Sequence, residues 1–125
     1  MKRGSRRFAG LPIAALAAIG VLALAGAAAP SRPADPVPQR HVVEIRGMAF
    51  HPEVLEVRRG DTVVWINRDI VPHTATATRK SGQKPAWNTG PLLQGQSGQY
   101  VASHRGEDSY LCQLHPVMLG KLIVR

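Results

Sequence analysis

The chain has 125 residues, 44% of them hydrophobic, which is enough to form one small domain with a single core. Its formal net charge is +8, but four of the 16 basic residues precede residue 8, so the remainder carries only +4. That modest charge, with no basic cluster alternating with aromatic residues, excludes a nucleic-acid-binding protein and favours salt-dependent steering towards an acidic partner.

Residues 1–29 are typical of an export signal. Four basic residues precede an uncharged run of Ala, Leu, Ile, Val and Gly at 11–29, and small residues at its end resemble a cleavage site. The pair Arg6 and Arg7 resembles a twin-arginine signal, and the Sec pathway is the alternative. Removal of this segment predicts a periplasmic protein. If it is retained, the apolar run is about as long as a minimal membrane span and would anchor the protein to a membrane.

The folded domain is predicted at 41–125, after an extended linker at 30–40 that contains four prolines. No helical periodicity follows the signal, and short alternating or apolar runs are separated by frequent turns. These features predict an antiparallel β-sandwich or barrel. The predicted strands are 41–48, 54–58, 62–66, 73–78, 99–103, 108–112 and 120–124.

The segment at 112–118 carries the residues most suggestive of chemistry. Cys112 is the only cysteine, and His115 and Met118 follow it at intervals of three. A thiolate, an imidazole and a thioether form a soft ligand set that copper prefers. A helix would spread these side chains around its surface, and Pro116 disfavours helical geometry at His115, so a loop folded around one metal is predicted.

A fourth ligand has to come from another part of the chain. His41, His51 and His104 lie at the linker edge or in turns and are predicted to be solvated surface histidines. His73 instead lies where a loop at 67–73 ends, directly after the most strand-like run. Because loops after alternate strands gather at one end of a sandwich, this loop can meet the loop at 112–118.

The two loop sequences resemble those of the cupredoxins, the type 1 blue-copper proteins. They are Trp-Ile-Asn-Arg-Asp-Ile-Val-Pro-His at 65–73 and Tyr-Leu-Cys-Gln-Leu-His-Pro-Val-Met-Leu-Gly-Lys at 110–121. The short Cys-x2-His-x2-Met loop is most similar to that of the amicyanin branch, and the resemblance spans about 41–125. The resemblance implies a Greek-key β-sandwich of seven to eight strands. The segment at 79–97, which includes Trp87, departs from the family pattern.

The resemblance also implies a role for each site residue. His73, Cys112 and His115 would be the equatorial ligands of one copper ion. Met118 would be its long axial ligand. Asn67 would join the two loops by hydrogen bonds near Cys112. The backbone carbonyl of Pro72 would lie near the metal, opposite Met118.

The function implied is that of a monomeric, periplasmic one-electron carrier rather than an enzyme. His115 would be the route for electrons, within an apolar docking patch lined by Met48, Pro72, Leu114, Pro116 and Val117. Basic residues that would orient a partner are Arg68, Arg79, Lys80, Lys84 and Arg105. The family suggests an amine dehydrogenase as donor and a c-type cytochrome as acceptor.

Three alternatives remain open. A copper carrier or chaperone would bind the metal without redox turnover. A copper enzyme such as a nitrite reductase would need a second copper centre, which the spacing of the other histidines does not provide. Zinc is the alternative metal, although structural zinc sites seldom use methionine.

Overall fold

The computed structural model describes residues 26–79 and 82–125, together with Gly10, Ala14 and Gly20. Most of the predicted export signal therefore falls outside the described residues. Within the part that is described, no helix has the length and apolar character needed to cross a membrane. Residues Ala34–Arg125 form one compact unit.

Eight strands form the domain. They are β1 (Arg40–Arg46), β2 (Ala49–His51), β3 (Val54–Val57), β4 (Thr62–Asn67), β5 (Thr76–Ala77), β6 (Ser97–Val101), β7 (Gly106–Leu111) and β8 (Leu119–Val124). They make two four-stranded sheets, ordered β2-β1-β4-β6 and β3-β8-β7-β5. The all-β sandwich of seven to eight strands is thus confirmed.

The pairing of strands is mixed, so the prediction of a purely antiparallel sandwich was wrong. β1 pairs in parallel with β4, and β3 pairs in parallel with β8. The remaining pairs are antiparallel. Each parallel pair joins strands that are not adjacent in sequence. The alternation of apolar and polar residues within a strand does not show which other strand it pairs with, so it could not predict the parallel pairing.

The core lies between the sheets and is rich in aromatic side chains. Trp65 on β4 is fully buried, and its ring packs edge-on against Tyr110 of β7. Trp87, in the segment without a predicted structure, stacks on Trp65 with ring centroids 4.9 Å apart. Trp87 also donates a hydrogen bond from Nε1 to Asp108 at 3.1 Å.

The segment before β6 is tied to the region around His73. Leu92 and His73 exchange backbone hydrogen bonds of 2.7 and 3.1 Å, and Thr76 forms a bridge with Asn88. Residues 88–92 therefore lie beside the chain at His73 and Thr76, and the preceding residue, Trp87, packs in the core. This packing fixes the strand ends that carry the candidate site.

Candidate metal centre

The end of β7 and the start of β5 bring the candidate ligands to one pole of the sandwich. Cys112 follows β7 directly, and its backbone N–H donates to the carbonyl of Met118 at 3.1 Å. The Met118 N–H donates in turn to the His115 carbonyl at 2.9 Å. The segment is thus a tight loop, as Pro116 predicts, and it folds back on itself before β8 begins.

Three nucleophilic atoms face one another in this loop region. The Cys112 sulphur lies 3.7 Å from His73 Nδ1 and 3.8 Å from His115 Nδ1, and the two nitrogens are 3.2 Å apart. A point equidistant from the three atoms lies about 2.1 Å from each, within the roughly 2.0 to 2.3 Å of zinc bonds to His nitrogen and Cys sulphur. The triangle therefore has the size needed to surround one first-row metal ion.

Burial distinguishes the members of the site. His73 and Cys112 are inaccessible to solvent and Met118 is 3% exposed, whereas His115 is half-buried. Within the described residues, His73, Cys112 and His115 are the one group of three or more His, Cys, Asp or Glu side chains placed to hold a metal ion. Met118 lies in the same loop, and its ligand role stays a prediction, as does the approach of the Pro72 carbonyl.

Asp69 orients His73, a role that the motif comparison missed. His73 Nε2 lies 2.9 Å from Asp69 Oδ2, so this nitrogen carries the proton and donates it to the carboxylate, leaving Nδ1 free as an acceptor. Burial disfavours the charged carboxylate, but N–H donors from Met48 and Gly47, with His73, outweigh it and lower the Asp69 pKa. An aspartate four residues before the candidate ligand was the available sequence signal.

Thr74, rather than Asn67, joins the two loops. The Thr74 hydroxyl accepts a hydrogen bond from the Gln113 N–H at 2.8 Å, and the Thr74 N–H donates to the Cys112 sulphur at 3.3 Å. An N–H donor to sulphur favours the thiolate that a metal binds. No sequence motif had singled out Thr74.

The contacts of Asn67 differ from those expected. Its side-chain amide donates to the carbonyls of Val71 and Leu92, both at 2.8 Å, and its oxygen accepts from the Asp69 N–H. Asn67 is fully buried and so stabilises its own loop and the neighbouring segment. The expected hydrogen bonds from Asn67 to the Cys112 loop are not seen, because its side chain bonds Val71, Leu92 and Asp69 instead.

The other histidines have partners elsewhere. His51 contacts the carbonyl of Arg46, and His104 contacts Ser103. His41 is not simply a solvated surface residue, since its Nε2 lies 2.9 Å from the buried carboxylate of Asp61. None of the three joins the group at the metal centre.

Apolar side chains are exposed at this end of the sandwich, on its loops and at the first residue of β8. Val117 and Ile70 are 87% and 85% exposed, and Met48, Val71, Leu114 and Leu119 are each more than two-fifths exposed. We refer to these six residues as the apolar patch. An exposed cluster of this kind is typical of an interaction surface.

The predicted basic residues do not all lie near this patch. Arg105 precedes β7, whereas Cys112 follows it, so Arg105 lies at the opposite end of that strand from the metal centre, and its steering role stays a prediction. Arg68 is paired with Glu44 at 3.3 Å. Arg79 and Lys84 are exposed, and Lys80 lies outside the described residues.

The chain is similar to known copper-binding proteins. Residues 39–125 match the family described as copper binding proteins, plastocyanin/azurin family. Amicyanin from Paracoccus denitrificans is 32% identical over 66% of this chain and 63% of its own length, so the chain spans just under two thirds of that relative. Amicyanin from Paracoccus versutus is 30% identical over 78% of this chain and 70% of that protein.

Solved structures of similar proteins include a Cu(I) form of an amicyanin variant. It superposes with a TM-score of 0.63 at 30% identity, covering 69% of this chain and 82% of the other. A copper-containing nitrite reductase from Thermus scotoductus gives 0.62 at 29% identity, with 78% of this chain matching 24% of that protein. The similarity therefore concerns about a quarter of that larger protein.

Proposed function

The chain belongs to the plastocyanin/azurin family of copper-binding proteins, and we propose that it carries single electrons by means of one copper ion. The proposed ligands are His73, Cys112, His115 and Met118. The observation that carries the proposal is the triangle of two imidazole nitrogens and one sulphur, spaced for a single ion and largely closed to water.

The donor set fits copper in both oxidation states. Bound copper supplies a one-electron Cu(I)/Cu(II) couple. Thiolate and thioether suit Cu(I), and imidazole suits Cu(II), so a mixed set limits the rearrangement needed when the oxidation state changes. Zinc accepts similar nitrogen and sulphur ligands, but a lone cysteine with methionine is an uncommon structural zinc set.

The surrounding hydrogen bonds keep the ligands in place. Asp69 holds the imidazole of His73, and Thr74 holds both the sulphur of Cys112 and the backbone beside it. Residues anchored by buried partners lose little entropy when they bind a metal, and they resist movement when the charge of that metal changes. Such rigidity is what an electron carrier requires and what a chaperone, which must release its metal, does not.

We propose that electrons pass through His115. It is the most exposed of the three clustered side chains, and its loop carries Leu114 and Val117 of the apolar patch. An exposed apolar patch is typical of a protein interaction site. A small patch suits a brief encounter between redox proteins, because a small contact area permits rapid dissociation. A redox partner docked there would place its own centre close to the copper.

The proposed setting follows from the sequence and the relatives. Export by the N-terminal segment would place a monomeric domain in the periplasm, attached to a membrane only if that segment is retained. The resemblance to amicyanins suggests an amine dehydrogenase as donor and a c-type cytochrome as acceptor. Four protein donors around one copper ion would leave no open equatorial position for a substrate, so we do not propose enzymatic activity.

The alternative is a copper chaperone, and reversible voltammetry separates the two functions. An electron carrier will cycle between Cu(I) and Cu(II) many times while retaining its copper, which can be measured by metal analysis before and after cycling. Copper loss during cycling, or transfer to a competing chelator at each reduction, would support the chaperone.

The ligand assignment has its own test. His73→Ala should abolish tight copper binding, because it removes one corner of the triangle, whereas His51→Ala should leave it unchanged, since His51 contacts only the Arg46 carbonyl. Competition with a chelator of known affinity measures both. Equal effects would show that His73 is not a ligand.

A further inference from the structure

The turn between β1 and β2 holds a methionine in a backbone conformation that methionine rarely adopts. Gly47 and Met48 have φ values of 59° and 60°, which makes the turn a two-residue hairpin with both residues in the left-handed region. Met48 is the one non-glycine residue with a positive φ in the described chain. Strained backbone conformations of this kind occur most often at functional sites.

Asp69 connects this turn to the metal centre. Its two carboxylate oxygens accept the N–H groups of Gly47 at 2.7 Å and Met48 at 3.0 Å, and Oδ2 also contacts His73. Met48 is therefore held at a fixed position relative to a proposed copper ligand. Its side chain is nevertheless 43% exposed.

Met48 and Met118 line the same cavity. The cavity has a volume of about 190 Å³, and the carboxylate residue Glu53 also lines it. The remaining lining is apolar: Ala49, Phe50, Val117 and Leu119. One methionine at the cavity is accessible to solvent, and the other is 3% exposed and belongs to the proposed metal centre.

We propose that this cavity is the route by which Cu(I) reaches the metal centre, with Met48 as the residue that first captures it. Thioethers bind Cu(I) in preference to harder ions, and Glu53 supplies a negative charge that attracts a cation. The inference rests on the proposed function, since it takes copper as the metal of the site.

The transfer itself involves no electron. Copper remains Cu(I) as it passes from Met48 to Met118 and then to the imidazoles and the sulphur. The Cys112 thiol releases its proton to solvent when its sulphur becomes a ligand, so uptake releases one proton for each ion bound through that thiol. The donor outside the protein keeps its own ligands.

The test measures the rate at which metal-free protein takes Cu(I) from its coloured bicinchoninate complex. Met48→Leu keeps a side chain of similar size but removes the sulphur. It should slow uptake of Cu(I) about tenfold, the lower end of the effect of residues just outside a metal's ligand set. Uptake of Cu(II) and the spectrum of the fully loaded protein should not change, because Met48 is not a final ligand.

Two further variants make the result specific. Glu53→Gln should also slow uptake of Cu(I), whereas Leu114→Ala, which alters the apolar patch without altering the cavity, should not. In Cys112→Ser, substoichiometric Ag(I), a redox-inert substitute for Cu(I), should shift the NMR methyl signals of Met48 and Met118. Thermal unfolding of each variant checks that the fold is retained.

Equal Cu(I) uptake rates in the wild type and Met48→Leu, with a normal final spectrum, would overturn the proposed route and leave the electron carrier intact. Ag(I) that shifts neither methyl signal would do the same. Failure of the wild type to bind copper at all would instead refute the proposed function.

Discussion

The Thr74 hydroxyl is expected to be the main brace between the two metal-binding loops. It is 1% exposed, accepts from the Gln113 N–H at 2.8 Å, and lies 3.0 Å from the Thr76 hydroxyl, which donates to Asn88. Thr74→Val keeps the shape of the side chain and leaves the Gln113 N–H without its partner. The loss of one such buried partner costs about 2 kcal/mol.

That loss corresponds to a fall of about 10 °C in the melting temperature of a domain of this size. The assay is thermal unfolding of metal-free protein followed by circular dichroism, so that copper binding does not contribute to stability. Thr74→Ser retains the hydroxyl and should recover most of the loss.

The matched control for this prediction is Thr78→Val. The Thr78 hydroxyl donates to the Ser109 carbonyl at 2.9 Å, but at an exposed position where water can replace it. Its substitution should change the free energy of unfolding by less than about 0.5 kcal/mol. Equal destabilisation by the two valine substitutions, or none by Thr74→Val, would refute the role of Thr74 as a brace.

Three further predictions concern packing, pH and the metal. Gly120→Ala would place a methyl group against the ring of Tyr110, so we expect a loss of about 2 kcal/mol in chemical denaturation; an unchanged midpoint would contradict this packing. The backbone N–H of Gln39, then His41 and the N–H of Arg58, hold the pKa of Asp61 at about 2, below its ordinary 3.8. The charged carboxylate therefore stabilises the fold above pH 3.8, and this contribution is lost as the pH falls towards 2. Urea denaturation should give the wild type a larger free energy of unfolding than Asp61→Asn at neutral pH, and this difference should disappear as the pH falls from 3.8 towards 2. A difference of unchanged size at pH 2 would contradict the role of the Asp61 carboxylate. Asp69→Asn should weaken copper binding by about tenfold or more, because His73 loses its charged acceptor; chelator competition measures this, and unchanged affinity would show that His73 needs no such support.

Sequence reasoning identified what depends on local pattern. The strand periodicity predicted the all-β sandwich, and the spacing of Cys112, His115 and Met118 predicted a compact loop with soft donors. His73 could be chosen among the four histidines outside the Cys112 loop, because a loop that ends in a proline precedes it and follows the most strand-like run. These features depend on residues close together in the chain.

Contacts between distant residues could not be predicted in the same way. The parallel pairing of β1 with β4 depends on which strands meet in space, and so does the hydrogen bond from Gln113 to Thr74. Trp87 was left unassigned because its neighbours have no regular periodicity, although it packs on Trp65 in the core. Asp69 acts on both His73 and the turn at Met48, a coincidence that only the folded chain reveals.

The visible spectrum of the Cu(II)-loaded protein tests the central claim most directly. A copper–thiolate bond from Cys112 predicts an intense blue colour that is bleached by one electron per protein and restored on reoxidation. Any copper bound by Cys112→Ser should lack this colour. A colourless Cu(II) protein, or a colour that survives in Cys112→Ser, would contradict the account.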